Sequence, residues 1–197
     1  MAMTRFEKLF VNRERKAKRN IEIVRPRLEQ LDLDNLHNVL ELGCGIGSVS
    51  AFLFDSYQMN VIGIDFDSAQ IDIARRKYPE NDRLRFKIED ASKLSFDDGS
   101  FDLVLSQNVF HHIHAWNEAV QEVSRVLRQG GYFIWLDLVF PRLVKTIFQP
   151  LVRNYGLYTF DDIEIEFEKS GFKQHFTERL AHGPFPHYQV VLQKCEI

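Results

Sequence analysis

The 197 residues suffice for one compact domain with its own core, and a single domain is expected. With 45% hydrophobic and 27% charged residues the composition excludes a disordered chain, and 17 phenylalanines point to a core or pocket rich in rings. A net charge of −3 gives no overall electrostatic reason to bind nucleic acid, so no DNA partner is expected.

Two cysteines, Cys44 and Cys195, make neither a disulfide framework nor a CxxC pattern, which fits a reducing cytosol. No apolar run approaches the roughly 18 residues that cross a bilayer, and the start MAMTRFEKLFVNRERKAKRN has no apolar signal core. A cytoplasmic location follows as the expectation.

In chain order, Phe6, Leu9, Phe10, Ala17, Ile21, Val24 and Leu28 fall near helical spacing, with Pro26 as a kink or end. Strands are expected near Val39 to Leu42, Val61 to Ile64, Leu84 to Ile88, Phe101 to Ser106 and Gly131 to Asp137, alternating with helix-like stretches. Trp116, Ala119, Val120, Val123, Val126 and Leu127 recur at three- and four-residue steps, predicting an amphipathic helix stopped by Gly130 and Gly131. Residues 138 to 158 are apolar, broken by prolines and dotted with Arg142, Lys145 and Arg153. Thr159 with Asp162 reads as the start of a helix that ends at Ser170-Gly171. Phe172 to Leu180 and His187 to Leu192 read as a closing pair of strands around a Gly183-Pro184-Phe185-Pro186 turn.

The most informative stretch is Val39-Leu40-Glu41-Leu42-Gly43-Cys44-Gly45-Ile46-Gly47, a short strand running into a glycine-rich turn that opens a helix. Glycine lets a backbone turn tightly and approach a ligand closely. The spacing is GxGxG rather than the GxGxxG of nicotinamide sites, with Ser48 where the third glycine would fall, which disfavours a dehydrogenase.

This ELGCGIG run resembles motif I of class I S-adenosylmethionine-dependent methyltransferases, of the methyltransferase type 11-like branch. Ile62-Gly63-Ile64-Asp65-Phe66, Ile88-Glu89-Asp90-Ala91, Phe101 to His112 and Val126-Leu127-Arg128-Gln129-Gly130-Gly131 resemble the later motifs in order, although Gln129 stands where the family usually has proline. The resemblance covers about residues 38 to 137. It implies an α/β fold, a Rossmann-like doubly wound seven-stranded sheet, mostly parallel with a C-terminal antiparallel strand. It also implies S-adenosyl-L-methionine as cofactor.

Carried onto this chain, the family pattern implies cofactor contacts at Glu41, Gly43, Cys44, Gly45, Asp65, Phe66, Asp90, Ala91 and Gln107. Asp65, about 20 residues past the glycine turn, would accept both ribose hydroxyls. Asp90 and the Ala91 amide would meet the adenine edge, and Phe66 would pack on its face unless it is ordinary core. Glu41 would hold the methionyl amine or form a buried ion pair. Asp67, with Gln70 three residues on, reads as a helix N-cap, and Asp102, at the amino end of its strand, as structural.

Methyl transfer is an in-line displacement that needs alignment and exclusion of water; a base is optional. His111 and His112 are the catalytic candidates, with loop packing as their alternative role. Ser106-Gln107-Asn108-Val109-Phe110 lacks the paired prolines of enzymes that methylate planar amines on DNA, RNA or protein, so a small-molecule acceptor is favoured. The first 27 residues carry nine basic against three acidic residues, which leaves RNA or a membrane surface as disfavoured partners. The expected plan is an N-terminal helical lid over residues 1–30, a cofactor core over 38–137, a substrate-side insertion over 138–160 and a C-terminal unit over 161–197, as monomer or homodimer. No metal site is expected. The alternatives are a catalytically silent cofactor-binding subunit and a methyltransferase acting on RNA or protein.

Overall fold

The computed structural model describes residues 14–148, 155–180 and 185–195. Seven strands, β1 (Asn38–Leu42), β2 (Asn60–Asp65), β3 (Leu84–Ile88), β4 (Phe101–Gln107), β5 (Leu127–Leu138), β6 (Phe172–Leu180) and β7 (His187–Lys194), form one sheet. Their order is β3-β2-β1-β4-β5-β7-β6. β1 to β5 run parallel, and β7 is inserted antiparallel between β5 and β6. The strand order reverses between β1 and β4. In an open α/β sheet that reversal opens a crevice beyond the carboxyl ends of the strands, where ligands bind.

Both faces are covered because successive strand residues point to opposite sides. On one face Val39, Val61, Leu103, Leu105 and Ile134 pack under α1 (Glu14–Leu28), α2 (Ser48–Tyr57) and α3 (Ser68–Lys77). On the other, Leu40, Leu42, Val104, Phe133 and Trp135 meet α4 (Trp116–Val126) and α6 (Phe160–Lys169). β4 is buried along its whole length, which accounts for its unbroken apolar character.

The amino ends of the central strands are tied by Asp102, whose Oδ2 accepts the His37 and Asn38 backbone N–H groups while Oδ1 takes the Arg128 guanidinium at 2.5 Å. This acid lies at the end of the sheet away from the crevice, in the structural role read from its position. Between β5 and α6, Arg142–Phe148 forms a short helix, α5, that exposes Leu143 and Ile147.

One sequence expectation is revised. The helix ending in Val126 is not stopped by Gly130-Gly131: Leu127 already pairs with Phe101 as the first residue of β5, and the glycines lie where the ladder slips between Phe101 and Leu103. Pro26, read as a kink or an end, lies within the last turn of α1. Phe6, Leu9, Phe10, Arg153, Gly183 and Pro184 lie outside the described residues.

The start of α6 is locally encoded, because the Thr159 side chain accepts from Asp162 N–H and the Asp162 carboxylate accepts from Thr159 N–H at 2.7 Å. Thr159→Ala removes one half of this reciprocal cap and is expected to lower stability by about 1 kcal/mol. Urea unfolding with an unchanged m value checks it.

Candidate functional site

The chain leaves β1 through Gly43, Gly45 and Gly47, all at positive φ, and enters α2 with Gly47 as N-cap. Two of these glycines are required by crowding as well as by φ. A Cβ on Gly43 would lie 2.3 Å from a Val109 methyl carbon, and one on Gly47 would lie 2.6 Å from the Phe86 ring. The turn is thereby drawn against the loop after β4 on one side and against β3 on the other. A cavity of about 540 Å³ opens beside it, over the carboxyl ends of β1 to β4.

Asp65, at the end of β2, braces the turn: its Oδ2 accepts the Gly45 N–H at 2.9 Å and its Oδ1 accepts the Asp67 N–H at 2.9 Å. Asp67 caps α3 by accepting the Ala69 N–H at 3.0 Å, the cap read from the sequence. Between them Phe66 stands 55% exposed on the cavity wall, so its ring is no part of the core. Beyond β3, Asp90 Oδ1 accepts from the Ser92 amide and hydroxyl, and buried Ala91 follows on the same wall.

Glu41 is buried beneath the turn and accepts a hydrogen bond from the Ser50 hydroxyl. Burial pushes its carboxyl up to about 8, against the Ser50 bonds, with the charge of Asp65 adding to the rise. The Cys44 thiol, also buried on this wall, is raised by the same loss of water. Gln107, 92% buried at the end of β4, donates through Nε2 to the Asn20 carbonyl of α1 at 3.0 Å, while its Oε1 has no hydrogen-bond partner. That bond places Asn20, Ala17 and Lys16 of α1 on the cavity wall.

The two candidate histidines part company. His111 turns onto Asp137 at the end of β5, with Nδ1 2.5 Å from Oδ1, and is not on the cavity wall. His112 is exposed on that wall, its ring 3.9 Å from that of His111 and 5.9 Å from that of Tyr155. His114 joins it there.

Sequence reasoning missed the residues that build this side. Asp137 Oδ2 accepts from the Val109 and Phe110 amides at 2.9 and 2.6 Å and, more loosely, from His111 at 3.4 Å. The available signal was one acid in the otherwise apolar run Tyr132-Phe133-Ile134-Trp135-Leu136-Asp137-Leu138, since a buried carboxylate needs several donors. Lys16, Asn20 and Tyr155 lie in the N-terminal and substrate-side segments expected to flank the acceptor, yet no local pattern singled them out.

A family model described as a methyltransferase domain matches residues 40–135, the stretch from β1 to β5. The chain is 37% identical over 99 residues to a 2-methyl-6-phytyl-1,4-hydroquinone methyltransferase of Synechocystis, covering 50% of this chain and 31% of that one. It is 34% identical over 119 residues to a fatty-acid O-methyltransferase of Mycolicibacterium smegmatis, covering 60% and 43%. It thus spans less than half the length of either relative. The solved PH0226 protein of Pyrococcus horikoshii superposes with a TM-score of 0.72 at 25% identity over 93% of both chains. Residues 40–135 of the chain thus match a class I S-adenosylmethionine-dependent methyltransferase domain of the methyltransferase-11 type. Among the described residues no helix is long and apolar enough to cross a membrane.

Because the Glu41 carboxyl lies near 8 in the folded protein against an ordinary value of 4.5, the folded state keeps a proton there that the unfolded chain releases. Its contribution to stability is fully present below about pH 4.5 and is lost as pH rises through about 8. Glu41→Gln should flatten the fall in stability of the cofactor-free protein between these limits, as measured by urea unfolding across the range. A Cβ on Gly156 would meet the Ile113 and Phe110 carbonyl oxygens at 2.5 and 2.6 Å. Gly156→Ala should therefore cost about 1–3 kcal/mol by overpacking and displace the neighbouring Tyr155, visible as a changed tyrosine emission.

Proposed function

We propose that this chain transfers the methyl group of S-adenosylmethionine to a small, partly hydrophobic or aromatic acceptor in the cytoplasm. The observation that carries the reading is the single cavity in which the glycine turn, the Asp65 and Asp90 carboxylates and the His112–Tyr155 wall meet under α1. The donor set suits the cofactor. Two glycines leave no room for side chains at the turn, and acids stand at or beside the carboxyl ends of three neighbouring strands.

In this reading Asp65 takes the ribose hydroxyls, and Phe66 packs on the adenine. Asp90 and the Ala91 amide meet the adenine edge, and Gly43, Cys44 and Gly45 admit the chain of the amino acid. Glu41 would face the methionyl ammonium, beside which its carboxyl would be held ionised. Gln107 fixes the end of β4 to α1. The bound sulfonium supplies an activated methyl group. The protein's own contribution is alignment of the acceptor and exclusion of water by α1 and the Tyr155 side. Where the acceptor must lose a proton, His112 takes it, and His111, held by Asp137, positions the neighbouring ring. Relatives named for hydroquinone and fatty-acid acceptors support an apolar substrate class.

Isothermal titration should find one S-adenosylmethionine site per chain. Asp65→Ala should weaken binding by roughly 1.5–3 kcal/mol, the scale of lost charge-assisted hydrogen bonds, whereas Asp67→Ala should cost about 1 kcal/mol of stability and leave affinity nearly intact. Absence of binding by the wild-type protein refutes the proposal. A methyl-label screen of metabolite extracts then identifies the acceptor.

A further inference from the structure

Lys16 is the residue on the cavity wall whose environment the proposed reaction leaves unexplained. It lies one helical turn before Asn20 on α1 and is half-buried, and both residues face the cavity. Among the described residues its ammonium makes no hydrogen bond or ion pair. Burial pushes it down from the ordinary lysine value, the charge of Asp137 pulls it back up, and Arg19 pushes it further down.

Asp137 is nevertheless no contact partner for it. The two carboxylate oxygens already receive the Val109, Phe110 and His111 amides on Oδ2, and the Leu138 amide and the His111 ring on Oδ1. Five donors exhaust about four lone-pair positions. A partly desolvated ammonium without a partner is costly, and here it faces the cavity rather than solvent alone.

The charges on the wall are segregated. Asp65, Asp67, Glu89 and Asp90 end or follow β2 and β3, whereas Lys16 stands one turn from Asn20, which the Gln107 bond holds at the end of β4. The acidic half suits a cationic ligand and the basic half an anionic one.

We infer that Lys16 is the anion anchor of this cavity and pairs with a carboxylate delivered by a ligand, foremost one carried by the methyl acceptor. The inference rests on the proposed methyltransferase reading and names the acceptor's class: an amphipathic acid, its apolar body against Ile113 and Tyr155 and its charge under α1. A carboxylate could also come from the amino-acid end of the cofactor. Asn20, the neighbour of Lys16, is tied to the end of β4, with β1 between it and the Asp65 end of β2, and this favours the acceptor's side.

The test is calorimetric titration of the wild-type, Lys16→Met and Lys16→Arg proteins, with melting curves to establish folding. The probes are S-adenosylhomocysteine, 5′-methylthioadenosine, which lacks the amino-acid group, and, on the S-adenosylhomocysteine complex, octanoate and benzoate against octanamide and benzamide. The wild type should prefer a carboxylate over its amide by on the order of tenfold, the scale of a charge-assisted hydrogen bond. Lys16→Met should abolish that preference with S-adenosylhomocysteine affinity unchanged, and Lys16→Arg should retain it. If Lys16→Met instead weakens S-adenosylhomocysteine and spares 5′-methylthioadenosine, the anchor holds and its anion is the cofactor's carboxylate. Lys16→Met matching the wild type on every probe overturns the inference while leaving the methyltransferase reading intact. A wild-type protein that does not bind S-adenosylhomocysteine overturns both.

Discussion

The buried carboxylate of Asp137 determines where the chain goes after β4. The strand ends at Gln107, Asn108 adopts φ +59, and the next three amides converge on one oxygen of Asp137 while its other oxygen holds the His111 ring. Each of those amides would otherwise be a donor withdrawn from water, at a cost of about 1–3 kcal/mol apiece. The loop therefore has one low-energy course, with His111 inward and His112 on the cavity wall. Asp102 does the corresponding work at the opposite end of the same strand, and the two acids hold the buried β4 at both ends.

The second constraint is the attachment of α1. Its last turns are fastened to the antiparallel edge of the sheet: Arg27 pairs with Glu178 at 2.7 Å and lies over the Phe176 ring, and Gln189 donates to the Ile23 carbonyl. Nearer the cavity the Gln107 bond to Asn20 takes over. The row Gln107, Leu136 and Gln189 crosses β4, β5 and β7 at one level. One line of sheet residues thus carries the helix across the strand ends, and Lys16 and Asn20 are placed over the cavity as a result.

Local features were the legible ones. The Thr159–Asp162 cap, the Asp67 cap and the glycine turn are each specified by residues within a few positions, so their chemistry can be read directly. The five parallel strands were legible from apolar runs, and the change of character after Ser170-Gly171 located the closing pair. What escaped depends on partners distant in the chain. The end of α4 is set by Leu127 pairing with Phe101 rather than by the glycines beyond it, and the place of α1 by a bond across 87 positions. The paired histidines read alike in sequence, and only Asp137, 26 residues later, separates them. Sequence proximity located the site; folding divided the work within it.

The contact between Gly43 and Val109 has a consequence for how the site can vary. The two positions are 66 residues apart, yet they share one small volume between the turn after β1 and the loop after β4. Any side chain at 43 must displace the valine, and any larger residue at 109 must push on the turn. The two halves of the cavity therefore have a common wall with no slack in it. Variation on the acceptor side has room at His114, where the cavity is open, and is tightly bounded at position 109, where a gain in size would be felt as a distortion of the glycine turn.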